Sequence, residues 1–500
     1  MRKVSWIAML GIFVLVGLGV ANTQNVATIS VNVSSLGKVI PTDFDGFSIE
    51  VDDSTNKYLG VASSPNLVFY QLLGNLGKST IRIGGSSEDY SCWNPSQAPQ
   101  PAGCTFTITQ DGLNGFMKAS AATGWGLILG VNLAENSGTW ALQYGLAAVN
   151  AVAAYPGSKL IGFEFGNEPD LYPSETLFRH TPIRPSGYSW PNLVSDWNGY
   201  ISAFKRNATA APVPLVGPSY DDSSDVWRNS YLAPFLDGVG PSNLGIATVH
   251  EYPTDTCSKK DAKATTISAL LAESLMSSYV SMVTTNNWVS NANSRGLPLQ
   301  LDETNSTACG GKTGVDDVMT ATVWGLDWLF TNVNLGFSRI NFHMDTAAYS
   351  AVQVVPTTNP NGTVSYANTV KPLYYAMYTF STNAQGQALV PTTISTSANI
   401  KAYAVRSSST GPVTVFVINK DLSASGMVSV TPSATMGTAS LLTVQAPTLS
   451  SNAVTYGGVT FNNNTGLLTG TPATTPVNPV GGSYSFTLAN ASMAVLTINP

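Results

Sequence analysis

From about residue 40 to 380, short apolar strand-like runs alternate with longer stretches of helical spacing. Eight runs have strand character: 44–50, 80–84, 126–132, 160–168, 213–217, 245–251, 298–303 and 339–344. Helical patterns fill the intervals, among them 67–76, 142–154, 193–210, 267–288 and 315–332. Eight β/α units in succession predict an α/β fold, an eight-stranded (β/α) TIM barrel over residues 40–380. No internal repeat is visible beyond this alternation.

After residue 380 the pattern changes. Short runs of alternating polarity at 400–405, 413–418, 426–430, 440–443, 483–488 and 493–498 are separated by Gly, Pro, Ser and Asn. That is the signature of an antiparallel β-sandwich, predicted for 381–500. Residues 28–33 carry the same alternation ahead of the barrel, so the segment 22–39 is expected to join the sandwich. The charge content changes too, since residues 381–500 hold only Lys401, Arg406, Lys420 and Asp421.

Charge narrows the class of partner. Lys and Arg total 23 against 29 Asp and Glu, a net charge of −6, and charged residues are 10% of the 500. No basic surface for nucleic acid or anionic membrane is expected. At the N-terminus Arg2 and Lys3 precede an apolar run from Trp6 to Val20, with small residues near Ala21. At about 15 residues the run is short of the roughly 20 that span a bilayer. It reads as a signal peptide over 1–21, and the protein as secreted and extracellular, with no membrane association after cleavage.

Four cysteines, Cys92, Cys104, Cys257 and Cys309, are then expected to form two disulfides, for which three connectivities exist. Cys92 and Cys104 share one Pro-rich loop and pair locally in our reading, which leaves Cys257 and Cys309 to join two loops that each follow a strand. No CxxC occurs and the three histidines, His180, His250 and His343, are scattered, so no metal and no cofactor is expected. Sequons at Asn32, Asn207, Asn305, Asn361, Asn463 and Asn490 suit a glycoprotein.

The chemistry is carried by two strand ends. In Phe165-Gly166-Asn167-Glu168-Pro169-Asp170 and in Leu299-Gln300-Leu301-Asp302-Glu303-Thr304-Asn305, a Glu closes an apolar run where the chain turns polar. Pro169 cannot continue a ladder, which sets Glu168 at a barrel rim. These are the fourth and seventh strands, facing one another across the cleft. Two carboxylates so placed suit hydrolysis of a glycosidic bond, with Glu168 as acid/base and Glu303 as nucleophile. By strand alternation Glu251 and Asp302 are expected to point away from the site. Glu164 and Arg82 are expected to pair inside the barrel. Trp93 and Trp190, in loops, suit either stacking on a sugar ring or packing down.

The FGNEP stretch, the later Glu303-Thr304-Asn305-Ser306 with Cys309-Gly310-Gly311, and the sandwich tail resemble glycoside hydrolase family 79, the β-glucuronidases and heparanases. The resemblance extends over nearly the whole mature chain and is nearest to the microbial β-glucuronidases. It implies that Asn167 bonds the sugar 2-hydroxyl, that Glu50 and Ser86 bind the sugar, and that Tyr252 holds the nucleophile. It also implies that the backbone at Gly310 and Gly311, with Tyr349, receives the uronate carboxylate. The chain departs from the heparanase pattern in having Cys309 where that pattern has its first Gly, and in lacking a basic run. An exo-acting retaining β-glucuronidase is therefore expected, acting on oligo- or polysaccharides that carry terminal glucuronic acid, 4-O-methylated or not. A retaining glycosidase for a neutral sugar and a non-catalytic carbohydrate-binding protein are the alternatives. No oligomeric state follows from the residues.

Overall fold

A computed structural model describes residues 25–96, 99–101, 103–174, 182–221 and 231–500. The expected signal peptide lies outside the described residues. Among these residues no helix is long and apolar enough to cross a membrane.

Eight parallel strands close into a barrel in chain order: Asp45–Glu50, Thr80–Gly84, Gly126–Val131, Lys159–Phe165, Leu215–Asp221, Leu244–Glu251, Leu299–Thr304 and Arg339–Met344. The eighth pairs back onto the first, His343 against Ser48. Such strands lie between barrel interior and helix layer and meet no solvent, which is why Gly126–Val131 and Leu299–Thr304 are buried at every position. The helices are bounded by local chemistry. Thr109 accepts the Gly112 N–H at the start of Gln110–Thr123, and Gly124, at φ 76°, ends it.

The expected helix over 267–288 is instead three, Ile267–Leu270, Glu273–Thr285 and Trp288–Asn293. Ala272 is extended and Asn287 left-handed (φ 54°), so the backbone leaves the helical region at both joints. After the last barrel strand an antiparallel hairpin, Val352–Thr358 with Val364–Val370, and a helix, Pro372–Asn383, precede the second domain. The sequence reading did not anticipate the hairpin, although Asn359-Pro360-Asn361-Gly362 at its tip is turn chemistry.

The C-terminal part consists of two sheets. Asn25–Val31 lies between Thr392–Ser395 and Gly426–Pro432, antiparallel to the first and parallel to the second. The other sheet centres on Val413–Asn419, between Ile400–Arg406 and Ser492–Ile498. This central strand, VTVFVIN, is buried at every position because each face has its own partner. Val413, Val415 and Val417 pack into the sandwich with Ile29, Val428 and Val430. Phe416 and Ile418 face the barrel, where Phe416 meets Phe330 at 4.9 Å between ring centroids. Phe330 belongs to helix Met319–Leu335, buried from Met319 to Val333 because the sandwich covers its outer side.

One buried charge pair crosses this interface. Lys420 Nζ donates to Asp327 Oδ2 at 2.6 Å and Tyr403 OH donates to Asp327 Oδ1 at 2.6 Å, with both charged side chains at most 2% exposed. Asp327→Ala leaves Lys420 with only the half-exposed Glu273, 3.4 Å away. Removing one member of a buried pair costs about 3–5 kcal/mol, so the midpoint of denaturant unfolding is expected to fall accordingly. An unchanged midpoint would show that the interface does not depend on this pair.

Candidate active site

Glu168 is set by a loop that other carboxylates hold in shape. Gly166 has φ 78°, and a Cβ there would collide with the Tyr172 hydroxyl. Its N–H donates to Glu88 Oε1 at 2.7 Å, and the Asn167 N–H donates to Asp89 Oδ2 at 3.0 Å. Glu168 itself has φ 45°, rarely adopted by a residue with a side chain, while its N–H donates to the Ser219 carbonyl at 2.9 Å. Backbone strain of this kind persists only where surrounding bonds enforce it.

Glu303 closes the seventh strand beside an irregularity. The register with the sixth strand runs Val249 to Leu301 and then His250 to Glu303, so the seventh strand carries one extra residue. Such a bulge re-aims side chains. The expectation that Asp302 points away is therefore corrected. Asp302 accepts from Ser219 Oγ at 3.0 Å and lies 3.4 Å from His250 Nε2, fully buried.

One carboxylate oxygen of Glu168, one of Glu303 and one ring nitrogen of His250 lie within 4.8 Å of one another. Among the described residues these three form the one grouping close enough to hold a metal ion. Each has protein partners. His250 Nδ1 is 2.9 Å from Glu168 Oε1, Tyr252 OH donates to Glu303 Oε1 at 2.9 Å, and Arg82 Nη1 donates to Glu303 Oε2 at 2.5 Å. A cation bound there would sit against a guanidinium.

The two carboxyls have opposite environments. Burial pushes Glu168 up to about 7, against the lowering effect of the His250 bond and helped by the charges of Asp221 and Glu303. Burial acts in the same direction on Glu303, but the charges of His343, His250 and Arg82 and the Tyr252 bond outweigh it, and it falls to about 2. Between these two values, on the acidic side of neutral, Glu168 carries a proton and Glu303 a negative charge. That division suits an acid paired with a nucleophile.

The remaining sequence-predicted residues gather around this pair. Asn167 Oδ1 accepts from Arg82 Nη2 at 2.8 Å. Ser86 lines a small pocket with Asn167, Glu168, Asp89, Tyr90 and Ile183. Its N–H donates to Glu50 Oε1 at 3.1 Å, and the Ser87 N–H donates to Glu50 Oε2 at 2.7 Å. Tyr349 packs 6.1 Å from Tyr252 between ring centroids and against Gly311, where a Cβ would meet its ring at 3.1 Å. The Gly310 carbonyl accepts the Ala348 N–H at 2.8 Å. The Cys257–Cys309 disulfide joins the loop after Tyr252 to the one carrying Gly310, and Cys92–Cys104 closes the other loop. Arg82 pairs with Glu164 at 2.5 Å. Trp93 packs down on Tyr144, 6.0 Å away, while Trp190 is 36% exposed.

The sequence reading passed over His250, His343, Ser48, Glu88 and Asp89. One signal was available for His250: it lies two residues before Tyr252, and alternation gives positions two apart the same face. The sequon at Asn305 is closed, because its side chain is fully buried and donates to the His343 carbonyl at 2.9 Å. Mass spectrometry of protein from a glycosylating host is expected to find Asn305 unmodified. An occupied Asn305 would contradict this packing.

Comparison with known proteins supplies the setting. Residues 402–496 match the glycosyl hydrolase family 79 C-terminal beta domain. A β-glucuronidase of Neurospora crassa is 26% identical over 372 residues, 67% of this chain and 63% of that protein. One of Aspergillus niger is 27% identical over 325 residues, 60% of this chain and 58% of that protein. The chain thus aligns with about three fifths of the length of these relatives. Among solved structures, a 4-O-α-L-rhamnosyl-β-D-glucuronidase of Fusarium oxysporum superposes with a TM-score of 0.73 at 19% identity, covering 94% of this chain and 100% of that one. A family 51 arabinofuranosidase of Xanthomonas axonopodis has a TM-score of 0.68 at 14% identity, covering 95% and 100%. At these identities the two structures share the fold.

Proposed function

From the match of residues 402–496 to the glycosyl hydrolase family 79 C-terminal beta domain and the likeness to two β-glucuronidases, we propose that this chain is a family 79 enzyme, a secreted, retaining exo-β-glucuronidase that releases terminal β-linked glucuronic acid from glycans by double displacement. One observation carries the mechanism: a carboxylate oxygen of Glu168 and one of Glu303 lie within 4.8 Å of each other, and their surroundings favour a proton on the first and a charge on the second. Retaining pairs stand about 5–5.5 Å apart, whereas inverting pairs leave about 6.5–9.5 Å for a water.

Glu303 attacks the anomeric carbon while Glu168 gives its proton to the leaving oxygen. The glycosyl ester carries no negative charge, so one of the influences holding Glu168 protonated disappears. Glu168 then takes a proton from water, which attacks the anomeric carbon and releases Glu303. Arg82, fully buried and shared among Glu303, Glu164 and Asn167, keeps the attacking oxygen in position. Asn167 presents its NH₂ to the 2-hydroxyl, and Glu50 and Ser86 take further hydroxyls.

The uronate preference rests on the relatives, both β-glucuronidases, and on the loop of Gly310 and Gly311 beside Tyr349. Backbone N–H groups receive a carboxylate without adding net charge. Exo action is supported by the absence of a basic run in the sequence. Secretion is supported by the apolar N-terminal run and by two disulfides, which persist in oxidising compartments.

Turnover of nitrophenyl β-glucuronide against the glucoside, xyloside and galactoside tests the assignment. The glucuronide is expected to exceed each by at least about 100-fold in kcat/KM, the scale of about 3 kcal/mol from lost polar contacts. Preference for a neutral sugar ends the uronate reading.

A further inference from the structure

His343 stands between two carboxylates that the proposed mechanism treats separately. It lies on the eighth barrel strand, 4% exposed, with Nδ1 at 3.3 Å from Glu303 Oε2 and Nε2 at 3.5 Å from Glu50 Oε1. Ser48 Oγ, on the first strand, is 3.0 Å from Nδ1 and 3.5 Å from Glu303 Oε2, and accepts from Arg82 Nη1 at 3.1 Å. A neutral imidazole has one N–H and would leave one of these carboxylates facing a bare ring nitrogen. A doubly protonated ring donates on both sides.

We propose that His343 is a positioning residue that bridges Glu50 and Glu303 as an imidazolium, coupling the carboxylate that takes sugar hydroxyls to the ionisation of the nucleophile. The inference rests on the reading of Glu303 as nucleophile and Glu50 as sugar-binding.

The charges around the ring favour this state. Glu50 faces it from the first strand, Glu303 from the seventh, and Asp345 follows it on its own chain. Arg82 reaches it only through Ser48, His250 shares Glu303 from the sixth strand, and the Tyr349 ring lies 6.3 Å away. Burial alone would lower His343, but Glu303 and Glu50 raise it to about 9. The bridge also restrains the nucleophile from a third direction, beside Arg82 and Tyr252. Glucuronic acid in the pocket bonds Glu50 and alters its hold on His343. Occupancy of the sugar site is thereby reported to Glu303.

The chain contains three histidines, which makes the protonation state directly measurable. In ¹⁵N-histidine-labelled enzyme, long-range ¹H–¹⁵N spectra are expected to show His343 with both ring protons at pH 8. In Glu303→Gln its titration is expected to fall by about 1–3 pH units, the usual effect of an opposite charge at this distance. In His343→Gln, the acid limb of kcat/KM is expected to rise by about 1–3 units into a readily measured range. A merely structural role would lower the whole profile without moving that limb. A neutral His343 at pH 7 in the wild-type enzyme overturns the proposal, and that spectrum needs no variant to fold. So does an unmoved acid limb in His343→Gln. The underlying reading fails separately: Glu303→Gln with full turnover removes the nucleophile, whatever His343 does.

Discussion

Replacing Glu303 with Ala is expected to lower hydrolysis of aryl β-glucuronides by more than about 10⁴-fold, the scale seen when a covalent nucleophile is removed. The side chain is buried, ionised and aimed by Arg82, Tyr252 and Ser48, so no neighbouring group can take its place. The small side chain opens room for azide on the same face of the sugar. Azide is expected to restore part of the turnover on activated aryl glycosides and to yield the α-glycosyl azide, inverted from the substrate. Rescue giving the β-azide, or Glu303→Ala with unchanged turnover, would end the assignment of position 303.

Glu168→Gln is the second large effect, and its size depends on the leaving group. General acid catalysis contributes about 10²–10⁴-fold, so natural aglycones are expected to suffer that loss in kcat/KM, while dinitrophenyl glucuronide is nearly spared. The pH profile gives an independent reading. Glu168 works in its protonated form, and burial raises it to about 7, so wild-type kcat/KM declines as pH rises through about 7. Glu303 works ionised and is held at about 2, so activity falls on the acid side only as pH approaches that value. The plateau between is therefore acidic to neutral. Glu168→Gln has nothing to deprotonate and is expected to lose the alkaline limb. If that limb persists, another group sets it and Glu168 is not the acid.

How far the site could be read in advance depended on the reach of the contact. Glu168 and Glu303 were legible because each lies within two or three residues of its own signals, a buried apolar run giving way to a polar loop, with Gly166 and Pro169 marking the break at Glu168. Asp302 was misread for a physical reason. Alternation gives neighbours opposite faces only while the ladder is regular, and the extra residue in the seventh strand cancels the rule just before Glu303. His343 had no local signal, because its three contacts come from residues 40 to 295 positions away along the chain. The hairpin Val352–Thr358 with Val364–Val370 was passed over although its burial alternates along both strands; Pro356 inside the first strand and polar residues on the exposed face dilute the apolar pattern in the sequence.

The residues alone determined the barrel and the sandwich and pointed to two glutamates at strand ends, because burial between layers imposes periodicities of two and 3.6 that a chain writes into its own order. Closure of the barrel decided the rest. It carried Arg82, His250 and His343 from three separate strands onto the two carboxylates, and so set which one holds a proton. Such a difference arises from charges a few ångströms apart through space, in a region emptied of water. No distance along the chain encodes it.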